Sequence, residues 1–159
     1  MNIEFTLNGN AQKANITSAE RAVDVLVGHF DIHSLSANCL SGKCGGCLIL
    51  LDGKPVYSCI MPAFMLRERR VETLEAFQKT KEFTIISTEF QKEGIDLCCG
   101  GESALMLLAL YLLRKSLAPS DEDIREALAN AYCDCAAPEQ YIHTLRSAIR
   151  RLDTARKAP

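Results

Sequence analysis

The sequence predicts an α+β protein in which a small unit of short strands and one helix is followed by a bundle of four helices. Three observations carry this. Period-two alternation of apolar and polar residues is confined to the first third of the chain. Beyond about residue 73 the apolar spacing turns helical. Between the early strands lies a segment, residues 38–47, too rich in glycine and cysteine for either regular form. The expected division is residues 1–75 and residues 76–159.

Taken in order, Ile3, Phe5 and Leu7 alternate with polar neighbours, and Asn8-Gly9 supplies a hairpin turn. Residues 13–16 read as the return strand. Thr17 and Glu20 have capping-box spacing, and Ala22, Val23, Val25, Leu26 and Val27 give an amphipathic helix to about His29. The loop 38–47 is wrapped around something. Residues 47–51 form a strand, Asp52-Gly53-Lys54-Pro55 a turn, and residues 56–59 a second strand. Two strands, a helix, a chelating loop and a hairpin describe a β-grasp-like domain. Met61, Phe64, Met65 and Leu66 read as core. Arg67, Arg69 and Arg70 read as a solvated connector, with a subunit-docking patch as the alternative.

Helices are expected over 81–93, 102–117, 121–131 and 138–153. Pro119 and Ser120 separate the second from the third, Ser120 caps the third with Asp123 in the capping-box position, and Pro138 suits a first turn. Four such helices pack as a bundle. Cysteine-bearing turns at 98–101 and 133–135 would lie near one another at helix ends, and the tail from Arg150 is expected to fray.

A chain of 159 residues accommodates one medium domain or two small ones. Eighteen basic and twenty acidic side chains, with no basic block, argue against a nucleic-acid partner. The N-terminus, MNIEFTLNGN, lacks a basic region followed by an apolar one, so no secretory signal is expected and a cytoplasmic location is. The longest apolar run covers residues 104–113, half of the roughly 20 residues that a membrane span needs; a buried helix is expected instead. No nucleophile–base pair, Walker sequence or dinucleotide fingerprint is present, so no catalytic residue is expected on this chain.

Eight cysteines fall into two groups of four. Cys39, Cys44 and Cys47 are spaced C-x4-C-x2-C, and Cys59 follows after the hairpin. This is the plant-type spacing for a [2Fe–2S] cluster, a one-electron carrier. Gly42, Gly45 and Gly46 stand where main-chain amides must approach sulfur without Cβ clashes. Structural zinc prefers paired knuckles, whereas three of these cysteines share one loop. Disulfides belong to oxidising compartments. His29, His33 and His143 lie outside both cysteine motifs, which removes a Rieske site.

The run Cys39-Leu40-Ser41-Gly42-Lys43-Cys44-Gly45-Gly46-Cys47, followed by Leu51-Asp52-Gly53-Lys54-Pro55-Val56 and Ser58-Cys59, resembles the small iron–sulfur subunit of the molybdenum hydroxylase family. That family includes xanthine dehydrogenase, aldehyde oxidoreductase and aerobic carbon monoxide dehydrogenase. The resemblance implies an N-terminal β-grasp, plant-type ferredoxin domain and a C-terminal four-helix bundle, each with one [2Fe–2S] cluster. It also implies a large molybdopterin-binding subunit as electron source and a flavin, on an FAD-binding subunit, or another group as acceptor. Substrate oxidation would occur on the partner.

The second half departs from the family pattern, which reads Q-C-G-x-C-T-P-G and later N-x-C-R-C-T-G-Y. Here the corresponding runs are Leu97-Cys98-Cys99-Gly100-Gly101-Glu102-Ser103-Ala104 and Ala131-Tyr132-Cys133-Asp134-Cys135-Ala136-Ala137-Pro138. By the resemblance Cys98, Cys133 and Cys135 occupy ligand positions, while Gly101 stands at the fourth and has no side chain to offer. Three arrangements are open: Cys99 replaces the missing thiolate, an oxygen of Glu102 or Ser103 does so, or this half holds no cluster. Asp121–Leu128 still matches the family's helix ahead of the C-x-C turn. In the family the final cysteine of that turn, here Cys135, approaches the pterin. Leu97 and Asp134 stand where the family has glutamine and arginine, which changes what meets a molybdopterin partner. Two functional readings follow: an electron-transfer subunit of a molybdenum-type oxidoreductase, or a standalone ferredoxin-like carrier or redox-sensing module that has lost that partner.

Overall fold

The computed structural model of the chain describes residues 1–95, 101–116, 118–129 and 137–157. Strands β1 (Asn2–Leu7) and β2 (Asn10–Asn15) form an antiparallel hairpin in which Leu7 faces Asn10. Asn8 and Gly9 turn it with positive φ at both positions, the combination whose twist matches the strands. So tight a turn starts the return strand at Asn10, earlier than apolar alternation suggests. Helix α1 (Ala22–Phe30) follows, burying Ala22, Val23, Val25 and Leu26. The Thr17 amide does donate to Glu20, but this contact closes a turn ahead of the helix. The helix start is capped instead by Asp24, whose carboxylate accepts from the Arg21 amide at 3.3 Å.

A second hairpin joins β3 (Leu48–Leu51) to β4 (Lys54–Tyr57). Its turn is only Asp52 and Gly53, both at positive φ, so Lys54 and Pro55 belong to the strand. Proline is tolerated there because β4 lies at the sheet edge. A 3₁₀ turn over Ala63–Leu66 buries Ala63 and Leu66. Met61 is buried too, but Phe64 and Met65 are exposed, so only part of the expected apolar group is core.

The basic segment expected as a connector is instead the approach to the central strand. Strand β5 (Arg70–Glu72) runs parallel to β1 and antiparallel to β3, giving the order β2-β1-β5-β3-β4. The Arg69 guanidinium meets Asp52 at 2.6 Å, and the Arg70 amide donates to the same carboxylate at 2.8 Å.

The second half is helical: α2 (Leu74–Phe77), α3 (Lys81–Lys92), α4 (Gly101–Lys115), α5 (Asp121–Leu128) and α6 (Pro138–Lys157). α3 packs on α6, and α5 contacts both α4 and α6. Ser120 caps α5 as expected: its hydroxyl accepts from the Asp123 amide at 3.1 Å and Asp123 accepts from the Ser120 amide at 3.0 Å. The tail does not fray at Arg150. Helix α6 runs on to Lys157, and Arg151 binds the buried carboxylate of Glu89 on α3.

Every residue of β3 is buried because both faces of the strand are covered. Ile49 and Leu51 join β1, β5 and α1 in one core through Phe5, Leu7, Val71 and Leu26. Leu48 and Leu50 join Leu74, Phe77, Phe90 and the apolar helix α4 in the other. Ala104 through Leu110 of α4 are all buried, so the apolar run is interior. Among the described residues no helix is long and apolar enough to cross a membrane.

Candidate metal centre

The loop before β3 coils through three left-handed residues, Leu40 (φ 51), Gly42 (φ 69) and Gly45 (φ 78). For leucine that conformation costs about 1–2 kcal/mol, which the packing around the loop must offset. At Gly42 a Cβ would lie 3.0 Å from Ile60 Cδ1 and 3.4 Å from Tyr57 Cδ2. The coil turns the amides of Lys43 and Cys44 onto Cys39 Sγ, 3.4 Å from each. The Cys44 amide, with those of Ser41 and Lys43, holds the Cys39 thiol down at about 5. This backbone is set for a negatively charged sulfur.

The other cysteines enter from the hairpin. Cys47 directly precedes β3 and Cys59 follows β4 by two residues; each is 1% exposed. Ser58 ties them together, its amide and hydroxyl both donating to the Cys47 carbonyl at 3.1 and 2.6 Å. Burial, then the adjacent Cys59 sulfur, pushes the Cys47 thiol up to about 12. A nearby positive charge would favour the thiolate form there. Tyr57, at the end of β4, marks the meeting point. Burial raises its pKa, and negative charge on Cys47, Cys39, Cys44 and Cys59 raises it further. All four sulfurs therefore lie within electrostatic reach of one phenol. Tyr57 also packs against both cores, and it lines a groove with Gly42, Lys43, Cys44 and Ala129, the residue following α5.

The loop is anchored at its root. Ser34 donates through its amide and its hydroxyl to the Glu75 carboxylate, at 2.8 Å in each case. The Thr73 hydroxyl donates to Glu75 at 2.5 Å, and Asn8 clasps Thr73 through two bonds of 2.9 Å. Burial would raise the Glu75 pKa, but the Thr73 and Ser34 donors hold it below the ordinary glutamate value. Two residues further along, the Ser36 amide donates to the Gly46 carbonyl at 2.8 Å.

The donor set fits an iron–sulfur cluster. The four thiols are free, and among the described residues no three His, Cys, Asp or Glu side chains close on a single ion position. Cys47 and Cys59 lie side by side.

Cys98, Cys99, Cys133 and Cys135, with Leu97 and Asp134, lie outside the described residues. Gly101 opens α4. Ser103 is buried, and its hydroxyl meets no hydrogen-bond partner among the described residues. His29 faces Glu20 at 3.8 Å and His143 faces Glu93 at 3.9 Å. Tyr57, Ser58 and Ser36 are parts of the site that spacing alone does not announce; adjacency to Cys59 is the one signal, and it points to Ser58.

No protein-family profile matches the chain. It is 34% identical over 147 residues to a subunit of a "Probable xanthine dehydrogenase" of Bacillus subtilis (strain 168), covering 92% of this chain and 82% of that one. It is 29% identical to the "Nicotinate dehydrogenase small FeS subunit" of Eubacterium barkeri, covering 94% of this chain and 95% of that one. Its fold superposes on a chain of quinoline 2-oxidoreductase from Pseudomonas putida 86 with a TM-score of 0.84 at 23% identity, covering 97% of this chain and 96% of that one.

Proposed function

We propose, because this chain belongs to the family of small iron–sulfur subunits of the molybdenum hydroxylases, that Cys39, Cys44, Cys47 and Cys59 hold one [2Fe–2S] cluster and that Cys98, Cys99, Cys133 and Cys135 supply a second. The chain is an electron-transfer subunit of an oxidoreductase complex. A bound [2Fe–2S] cluster supplies reversible one-electron transfer. The protein's part is to hold it. The Lys43 and Cys44 amides stabilise negative charge at Cys39, Ser58 keeps Cys59 beside Cys47, and Tyr57 covers the loop on the side of the helical half.

In this reading residues 1–75 are a β-grasp, plant-type ferredoxin domain and residues 76–159 a four-helix bundle, supported by the five-stranded sheet and by α3 to α6. Electrons arrive from a large molybdopterin-binding subunit, which Cys135 approaches, and leave to an FAD-binding subunit or another acceptor. The complex hydroxylates a purine, an aldehyde or a related heterocycle in the cytoplasm; xanthine and nicotinate in the relatives' names support the heterocyclic substrates.

The observation that carries the proposal is the set of four free thiols on the coiled loop and its hairpin, with the Lys43 and Cys44 amides turned onto Cys39 Sγ and Ser58 tied to the Cys47 carbonyl. Iron and sulfide analysis of anaerobically prepared protein tests it. About four irons per chain, with two distinct paramagnetic signals on reduction, are expected for two clusters; about two would leave the helical half without one. Protein free of iron and of visible charge-transfer absorbance would overturn the reading. Co-purification with a large molybdopterin subunit checks the partner.

A further inference from the structure

We infer that the Ser36 hydroxyl donates a hydrogen bond to a bridging sulfide of the first cluster and thereby raises its reduction potential. The inference rests on the ligand assignment proposed above.

Ser36 is fixed beside the loop from several directions. Its amide donates to the carbonyl of Gly46, which lies between Cys44 and Cys47, at 2.8 Å. Leu35 before it is buried in the core that contains Cys47 and Cys59, and Ala37 after it packs against that same core. Ser34 is held by both oxygens of Glu75. The segment has little freedom to swing its serine into solvent.

The hydroxyl itself is buried and meets no hydrogen-bond partner, a condition it shares only with Ser103 among the described residues. A buried hydroxyl left unpaired is costly, because it has given up its bonds to water for none in return. Nearby serines do not tolerate this: Ser58 donates to the Cys47 carbonyl and Ser34 to Glu75. Among the described residues no nitrogen, oxygen or thiol sulfur serves Ser36, which points to an acceptor that the polypeptide does not provide. The bridging sulfides of a cluster held by the adjoining loop are such acceptors. A donor to cluster sulfur stabilises the more negative, reduced state and shifts the potential upward.

Ser36→Ala and Ser36→Thr in the full chain test this. Iron content and the paramagnetic signal of reduced protein first establish loading; wild-type protein without iron overturns the ligand assignment rather than the role of Ser36. In loaded protein, potentiometric titration should show a negative shift for S36A and recovery in S36T. Exchange into deuterium oxide should move the iron–sulfide stretching frequencies of wild type more than those of S36A. If S36A takes up no iron, S36C, whose thiol is a weak donor, is titrated instead and should also shift negative. A loaded S36A or S36C with the wild-type potential, as expected if the hydroxyl merely binds a buried water, overturns the inference.

Discussion

Gly42 carries two constraints at once, and they can be separated. Its φ of 69° is unfavourable for any side chain, and a Cβ there would press on Ile60 and Tyr57. Gly53 has a similar φ, 79°, but nothing within 4 Å of its Cβ position. Gly53→Ala should therefore lose only the left-handed penalty, about 1–2 kcal/mol. Gly42→Ala should lose more in urea denaturation and also bind less iron per chain. Equal losses for the two variants would show that Ile60, whose Cδ1 is the nearest atom at 3.0 Å, yields to the added Cβ without cost. At this scale the sequence is legible where chemistry is tied to spacing. Cys39, Cys44 and Cys47 are marked by C-x4-C-x2-C, Cys59 by its place after the hairpin, and the glycines by the need for amides near sulfur. Ser36 and Tyr57 do not, because a hydroxyl or phenol acquires its role only from the chain segments that folding places around it.

Among the elements, β1, α1, β3 and α3 to α6 are readable from periodicity and caps, with errors of a few residues where a two-residue turn replaces a longer one. Strand β5 is not, although it is the centre of the sheet. It has three residues and one buried apolar side chain, Val71, too little for a period to show. It exists because β1 and β3 each offer it a hydrogen-bonding edge. Helix α2 has only four residues, yet it contributes Glu75 and so anchors the root of the cluster loop. The folded Glu75 pKa lies below the ordinary value despite burial, because Thr73 and Ser34 donate to the carboxylate. Its contribution to stability is thus fully present above the unfolded pKa, near 4.3, and is lost as pH falls through the lower folded value. The amide of Glu75→Gln forms weaker bonds and does not titrate. The variant should be less stable than wild type at neutral pH, and the gap between their denaturation midpoints should shrink on acidification. A gap that stays constant from neutral pH down to about pH 3 would contradict this account.

At the scale of the whole molecule, β3 makes the two halves depend on each other. Ile49 and Leu51 belong to the core under α1, while Leu48 and Leu50 belong to the helical core with α4. Arg114 of α4 adds a two-pronged ion pair to Glu72 of β5, at 2.8 Å for each bond. Removing side chains from the helical core should therefore reach the cluster loop, because Cys47 directly precedes this strand. Leu50→Ala deletes a fully buried side chain and should cost about 2–5 kcal/mol. The iron–sulfur absorbance and the helical far-ultraviolet signal should fall together in wild type, and L50A should move both midpoints down by the same amount. Independent domains would behave otherwise: L50A would melt the helices at lower denaturant while the visible absorbance kept its wild-type midpoint. The buried pattern of β3 favours the first outcome, since a strand whose alternate residues fill two cores cannot release one and keep its place in the other.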